Sequence, residues 1–164
     1  MLTGTPGHLP SFDYLGLHQY SLTYCTVQRR KIFTTQEGVS LVLAQISRAA
    51  TENQFDIIAY CFMPDHVHLL VEGTADSSDC KQFIARLKQY SGYYYSAAYH
   101  EKLWQRYGFE HVLRDDETTM VVAKYILENP IRAGLVNRVE DYPFVGSLVY
   151  SVAELIEGVA ARSG

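Results

Sequence analysis

The sequence predicts an α+β fold built on an antiparallel sheet, and three observations predict it. Stretches rich in aromatic and β-branched residues, suited to strands, recur at residues 17–27, 55–62, 66–72 and 107–114. Two longer stretches between them, 36–53 and 78–99, repeat apolar residues at helical spacing. Met63-Pro64-Asp65 turns the chain between the second and third strands, because proline and aspartate favour tight turns and interrupt a ladder.

Each element follows in order. The first strand reads LHQYSLTYCTV, and the polar residues 29–35 lead from it into the first helix. There Val39, Val42, Leu43, Ile46 and Ala50 form an apolar stripe. The second strand ends at the Met-Pro-Asp turn. The third runs from His66, and Gly73 releases it. Phe83, Leu87, Tyr90 and Tyr94 mark the stripe of the second helix, whose tyrosines also suit base stacking. After a short fourth strand, Asp115-Asp116-Glu117 opens a third helix, with an aspartate as cap and acids where the helix dipole favours them. That helix carries Val121, Val122, Tyr125 and Ile126 and ends near Asn129, because Pro130 disfavours helical geometry in the residue before it. The order β-α-β-β-α-β fits a ferredoxin-like, split βαβ arrangement with helices on one face, plus a C-terminal helix that carries the candidate chemistry.

Bulk properties narrow the function classes. With 164 residues, 48% hydrophobic and 20% charged, the chain has the size of one domain and enough apolar material for a core. No apolar run approaches the ~18 residues of a membrane span, so no membrane partner is expected. Residues 1–16 read as a Gly/Pro-rich arm without the pattern of a signal peptide, 17–150 as the folded domain, and 151–164 as a tail with helical potential. Cys25, Cys61 and Cys80 lack zinc or redox spacing and suit thiols in a reducing cytoplasm. A net charge of −4 argues against a protein that coats nucleic acid. It leaves room for local strips: Arg29, Arg30 and Lys31 form the densest, and Lys81, Arg86 and Lys88 share the second helix. Solvated surface is the plainer reading of such strips.

The third strand holds the strongest chemical signal. Side chains alternate across a strand, so Val67, Leu69 and Val71 point one way and His66, His68, Leu70 and Glu72 the other. Two imidazoles ~7 Å apart along the chain can lean together and share one cation. They do not complete a structural zinc site, which takes four ligands. On the third helix Tyr125 and Asn129 are four residues apart and share a face. Asn129 is a candidate third ligand, with Glu72 as its rival, and Tyr125 a candidate nucleophile. The plainer alternative is a packed tyrosine and a capping asparagine.

Taken together, YCFMPDHVHLLVEG, LWQRYGFEHVLRDDET and KYILENPIRAGLV resemble the REP-associated tyrosine transposases. These are relatives of the single-tyrosine transposases of small insertion sequences, within the HUH nucleases. The resemblance covers about residues 20–150. It implies His66 and His68 as the metal-binding pair, Asn129 as the third polar ligand and Tyr125 as the catalytic tyrosine. Asn129, Pro130, Arg132, Ala133 and Gly134 reproduce the signature that follows that tyrosine. It further implies Mg²⁺ or Mn²⁺, and cleavage and joining of single-stranded DNA beside hairpins through a 5′-phosphotyrosine. Monomeric and homodimeric action both occur among such relatives. Where many members carry a glycine-containing loop after the first strand, this chain has VQRRKIF. Arg29, Arg30, Lys31, Lys124 and Arg132 are candidate DNA contacts. The alternative expectation is a non-catalytic domain of the same fold that binds single-stranded or hairpin nucleic acid.

Overall fold

The computed structural model of the chain describes residues 12–158. Most of the expected N-terminal arm and the end of the expected tail lie outside the described residues. The elements are β1 (Gln19–Cys25), α1 (Gln36–Glu52), β2 (Phe55–Met63), β3 (His66–Gly73), α2 (Cys80–Tyr99), β4 (Phe109–Val112), α3 (Thr119–Leu127), α4 (Asn129–Arg132), β5 (Val145–Gly146) and α5 (Val152–Glu157). The strand order is β4-β1-β3-β2-β5, with every neighbouring pair antiparallel. The first four strands follow the split βαβ order, and β5 extends the sheet beyond β2.

Alternation along the strands divides the apolar residues between two cores. Tyr20, Leu22 and Tyr24 of β1 and Val67, Leu69 and Val71 of β3 face α1 and α2, where Val42, Ile46, Phe83 and Leu87 are fully buried. On the other face, Leu70, Cys61 and Met63 pack against Ala123, Ile126 and Leu127 of α3 and Leu155 of α5. The helices therefore cover both faces: α1 and α2 share one, and α3 lies across the other. Local chemistry fixes the helix starts. Thr35 caps α1 by accepting the Gly38 N–H at 3.1 Å, and Asp79 caps α2 by accepting that of Gln82 at 3.1 Å. Gly73 ends β3 where a Cβ would stand 2.1 Å from the Gly16 carbonyl oxygen, so no other residue fits there.

Three details depart from the sequence expectations. The buried stripe of α2 runs through Phe83, Leu87, Ser91 and Tyr95, while Tyr94 is exposed. Ser91 is tolerated inside because its hydroxyl donates to the Leu87 carbonyl at 2.6 Å and accepts the Trp104 indole N–H at 2.8 Å. The cap of α3 is Thr118, which accepts the Val121 N–H, because the helix begins at Thr119, beyond both aspartates. Glu117 instead accepts the Arg114 N–H at 2.8 Å and meets His111 Nε2 at 2.9 Å. Finally, α3 stops at Leu127, with Glu128 as its C-cap, and α4 begins at Asn129. Pro130 has no N–H to offer the preceding turn, which separates the two segments.

Candidate active site

His66 and His68 stand at the entry end of β3, opposite Cys25 and Thr23 of β1 and Met63 and Cys61 of β2. Their ring centroids lie 5.1 Å apart, closer than the backbone spacing alone would give. Burial, then the neighbouring charges of His66 and Arg132, pull the His68 imidazole down to about 4, so the ring is neutral near pH 7 and keeps a lone pair. The Nδ1 of His66 meets Asp65 Oδ1 at 2.7 Å. An ionised carboxylate only accepts, so Nδ1 carries a proton and Nε2 is the nitrogen left to face a metal. Burial pushes the Asp65 carboxyl up, but the His66 hydrogen bond and the Arg29 charge outweigh it and hold the group below its ordinary range.

Arg29 reaches Asp65 through Nη2 at 3.0 Å and Nε at 3.1 Å. An Arg29–Asp65–His66 relay therefore fixes the first ring. The loop that supplies Arg29 is strained: Gln28 and Arg29 take φ of 53° and 54°, a region non-glycine residues enter at a cost of about 1–2 kcal/mol each. Asp65 reads in the sequence only as a turn former. The available signal was a carboxylate one residue before a candidate ligand.

The opposite wall comes from α3 and α4. Ala123, Ile126 and Leu127 anchor α3 on the sheet, leaving Tyr125 58% exposed. The Arg132 guanidinium lies 3.6 Å from the centre of the Tyr125 ring, and its Nη2 donates to the Tyr125 carbonyl. The charge of Arg132 also acts on His68 and Cys61. One cation thus stacks on the phenol ring and is felt electrostatically at His68. Asn129 opens α4, half-buried, and its side-chain amide makes no hydrogen bond among the described residues. No hydrogen bond or ring contact among those residues joins Tyr125 to either imidazole.

No group of three His, Cys, Asp or Glu side chains able to hold a metal occurs among the described residues. Glu72 does not serve as a third ligand: it lies four residues beyond His68, ~13 Å along the strand, and accepts from Gln19 Nε2 at 2.8 Å. Asn129, four residues after Tyr125, keeps a side-chain oxygen with no hydrogen bond among the described residues. Of the cationic strip, Arg29 is tied to Asp65 and Arg30 to Glu101 at 2.7 Å, while Lys31 and Lys124 are exposed.

Residues 15–129 match the family described as Transposase IS200 like, a span that takes in both histidines, Tyr125 and Asn129. The chain belongs to this family. A Haemophilus influenzae protein provisionally named a REP-associated tyrosine transposase is 33% identical over 144 residues, covering 76% of this chain and 77% of that protein. The REP-associated tyrosine transposase of Escherichia coli K12 is 28% identical over 120 residues, covering 71% and 68%. The solved structure of a REP-associated tyrosine transposase bound to a REP hairpin superposes with a TM-score of 0.69 at 22% identity, over 84% of this chain and 81% of that one. At that identity the likeness speaks to the fold, and the α+β sheet of this IS200-like transposase is the shared feature. Among its described residues no helix is long and apolar enough to cross a membrane.

Proposed function

We propose that this IS200-like transposase cuts and rejoins single-stranded DNA beside hairpins, forming a 5′-phosphotyrosine link at Tyr125. His66, His68 and Asn129 would hold Mg²⁺ or Mn²⁺. The observation that carries this reading is the imidazole pair 5.1 Å apart, with His66 oriented through Nδ1 by Asp65. A carboxylate behind a histidine is the arrangement that fixes a metal ligand's tautomer. The donor set would be the imidazole nitrogens of His66 and His68 and an amide oxygen that makes no hydrogen bond among the described residues. When bound, a divalent cation neutralises charge on a phosphate and stabilises more of it in the transition state.

The chain's own groups do the rest. The Tyr125 oxygen bonds to phosphorus as the P–O3′ bond breaks. The phenol gives up its proton, the 3′ oxygen gains one, and phosphodiester energy is kept in the covalent link for rejoining. Arg132, stacked on the tyrosine, would bind the phosphate under attack. Hairpin DNA as partner is supported by the relative whose structure holds a REP hairpin.

A second reading, a non-catalytic nucleic-acid-binding domain, is favoured by one observation: Tyr125 is 58% exposed, stacked by Arg132, and makes no ring contact or hydrogen bond with either imidazole among the described residues. The same exposure suits a site completed across a homodimer. Incubation with labelled, hairpin-flanked single-stranded oligonucleotides and Mn²⁺ separates the readings. The expected result is a denaturation-resistant protein–DNA adduct that Tyr125→Phe abolishes, a loss of at least 1,000-fold on the order expected for a removed nucleophile. Binding with no adduct supports the second reading, and an adduct that survives in Tyr125→Phe removes Tyr125 as the nucleophile.

A further inference from the structure

A cavity of about 590 Å³ opens between the C-terminal half of α2 and the segment that follows it, lined by Lys88, Gly92, Lys102, Trp104, Gln105 and Arg106. Three cations at one hollow stand out in a chain of net charge −4. Lys102 and Arg106 enter no ion pair among the described residues, unlike Arg29, Arg30, Arg48 and Arg138, and here they stand together at one hollow rather than apart on the surface. Arg106 instead lies 5.0 Å from the centre of the Tyr107 ring, and Lys88 donates to the Arg106 carbonyl at 3.0 Å. The acid on this wall, Glu101, is occupied by Arg30 at 2.7 Å and by the Tyr95 hydroxyl at 2.7 Å. The hollow is therefore positive, with an indole in its wall.

Its place in the fold matters as much as its charge. Trp104 bridges Thr26, with the Val27 N–H donating to Leu103 at 2.8 Å and the Gln105 N–H to Cys25 at 2.9 Å. The Thr26 N–H in turn donates to Asp65 at 3.0 Å. The backbone of the cavity wall thus lies two strand spacings, ~10 Å, from the Asp65–His66 end of β3. The cavity is on the α2 side of the sheet and the histidine rings on the α3 side, so a DNA strand joining the two passes around this edge. Gly108 presses this edge onto the core: a Cβ there would stand 2.2 Å from the Tyr24 ring. Phe109, 43% exposed, pairs with Thr23, which pairs with His68, so an open aromatic ring shares the row of the second histidine.

Resting on the function proposed above, we infer that this cavity holds one nucleotide of the DNA strand that flanks the phosphodiester at the histidine pair. The phosphate meets Lys102 and Arg106, and the nucleotide fills the hollow beside Trp104, whose indole is 5% exposed and held inward by Ser91. Charge-assisted contacts to the phosphate fix the strand whatever its sequence.

Trp104 is the sole tryptophan, so its emission reports on the cavity directly. A fluorescein-labelled single-stranded oligonucleotide titrated into the full chain without divalent metal supplies the test. Its anisotropy gives affinity, and Trp104 emission gives occupancy. Lys102→Glu with Arg106→Glu, both exposed positions, should raise Kd at least tenfold and flatten the salt dependence by about two phosphate contacts. The variant's thermal melting should stay unchanged, and the Trp104 response should disappear. The control Arg48→Glu with Lys81→Glu carries the same charge change away from the cavity. Equal weakening in variant and control, or saturated binding with silent Trp104, overturns the inference while leaving wild-type adduct formation intact. Absence of binding in the wild type overturns the functional reading and this site with it. Competition by millimolar mononucleotide at wild-type Trp104, with no effect of the variant on the oligonucleotide, assigns the hollow to a free nucleotide and also overturns the inference.

Discussion

At the scale of residues, Asp65 shapes the site most. It closes the turn, holds the His66 ring by Nδ1 and takes the Arg29 guanidinium on its other oxygen. Removing its carboxylate leaves His66 free to rotate and to present either nitrogen. Asp65→Ala is therefore expected to weaken Mn²⁺ binding about 10–100-fold, the range for loss of a carboxylate behind a metal-binding histidine. Isothermal calorimetry checks this, and an unchanged affinity would separate Asp65 from the metal. The two histidines themselves were legible in the sequence, because alternation alone puts them on one face. Asp65 was not, because its role depends on which way an imidazole turns.

Elements show where periodicity stops being enough. The tyrosines of α2 invite a stripe through Tyr90 and Tyr94, but the helix packs along Phe83, Leu87, Ser91 and Tyr95. A buried serine breaks an apolar pattern, and only its hydrogen bonds to Leu87 and Trp104 make it acceptable. Gly92 is next to it in mid-helix, where glycine is less stable than alanine by about 0.5–1 kcal/mol. A Cβ at this position would meet the Trp104 ring at 3.9 Å, ordinary contact. Gly92→Ala should accordingly stabilise the protein by that amount, read as a higher urea midpoint with unchanged slope. A lower midpoint would mean that the cavity wall cannot accept even a methyl group. The break at Glu128 has a comparable lesson for α3 and α4. Tyr125 and Asn129 have the spacing of one helical face, yet the missing proline N–H assigns them to two short helices.

The whole molecule is a sheet between two cores, and its C-terminal segment ties the second core shut. The Tyr142 hydroxyl donates to the Phe62 carbonyl of β2 at 2.6 Å. Burial, and secondarily Cys61, push that hydroxyl up to about 12, and burial pushes the Cys61 thiol up to about 12 as well. For a group raised on folding, the stabilisation is complete below the unfolded value, here 10.0 for Tyr142, and is lost as pH climbs through the folded one. Tyr142→Phe should lose about 1 kcal/mol at neutral pH from the missing hydrogen bond. Its melting temperature should then fall less steeply than the wild type's between pH 10 and 12, measured by circular dichroism. Parallel curves would show that Tyr142 does not contribute to alkaline unfolding.

The sequence by itself determined the split βαβ order, the face on which His66 and His68 sit, and the helix that bears Tyr125. Each follows from local periodicity and turn chemistry, which need no knowledge of distant residues. Tertiary structure alone decided that α3 covers the histidine face, that Arg29 and Asp65 orient His66, that Arg132 lies on Tyr125, and that Lys88, Lys102 and Arg106 converge on one hollow. These are contacts between residues far apart in the chain or dependent on side-chain rotation. They exist only once the sheet has brought separate segments to within a few ångströms of one another.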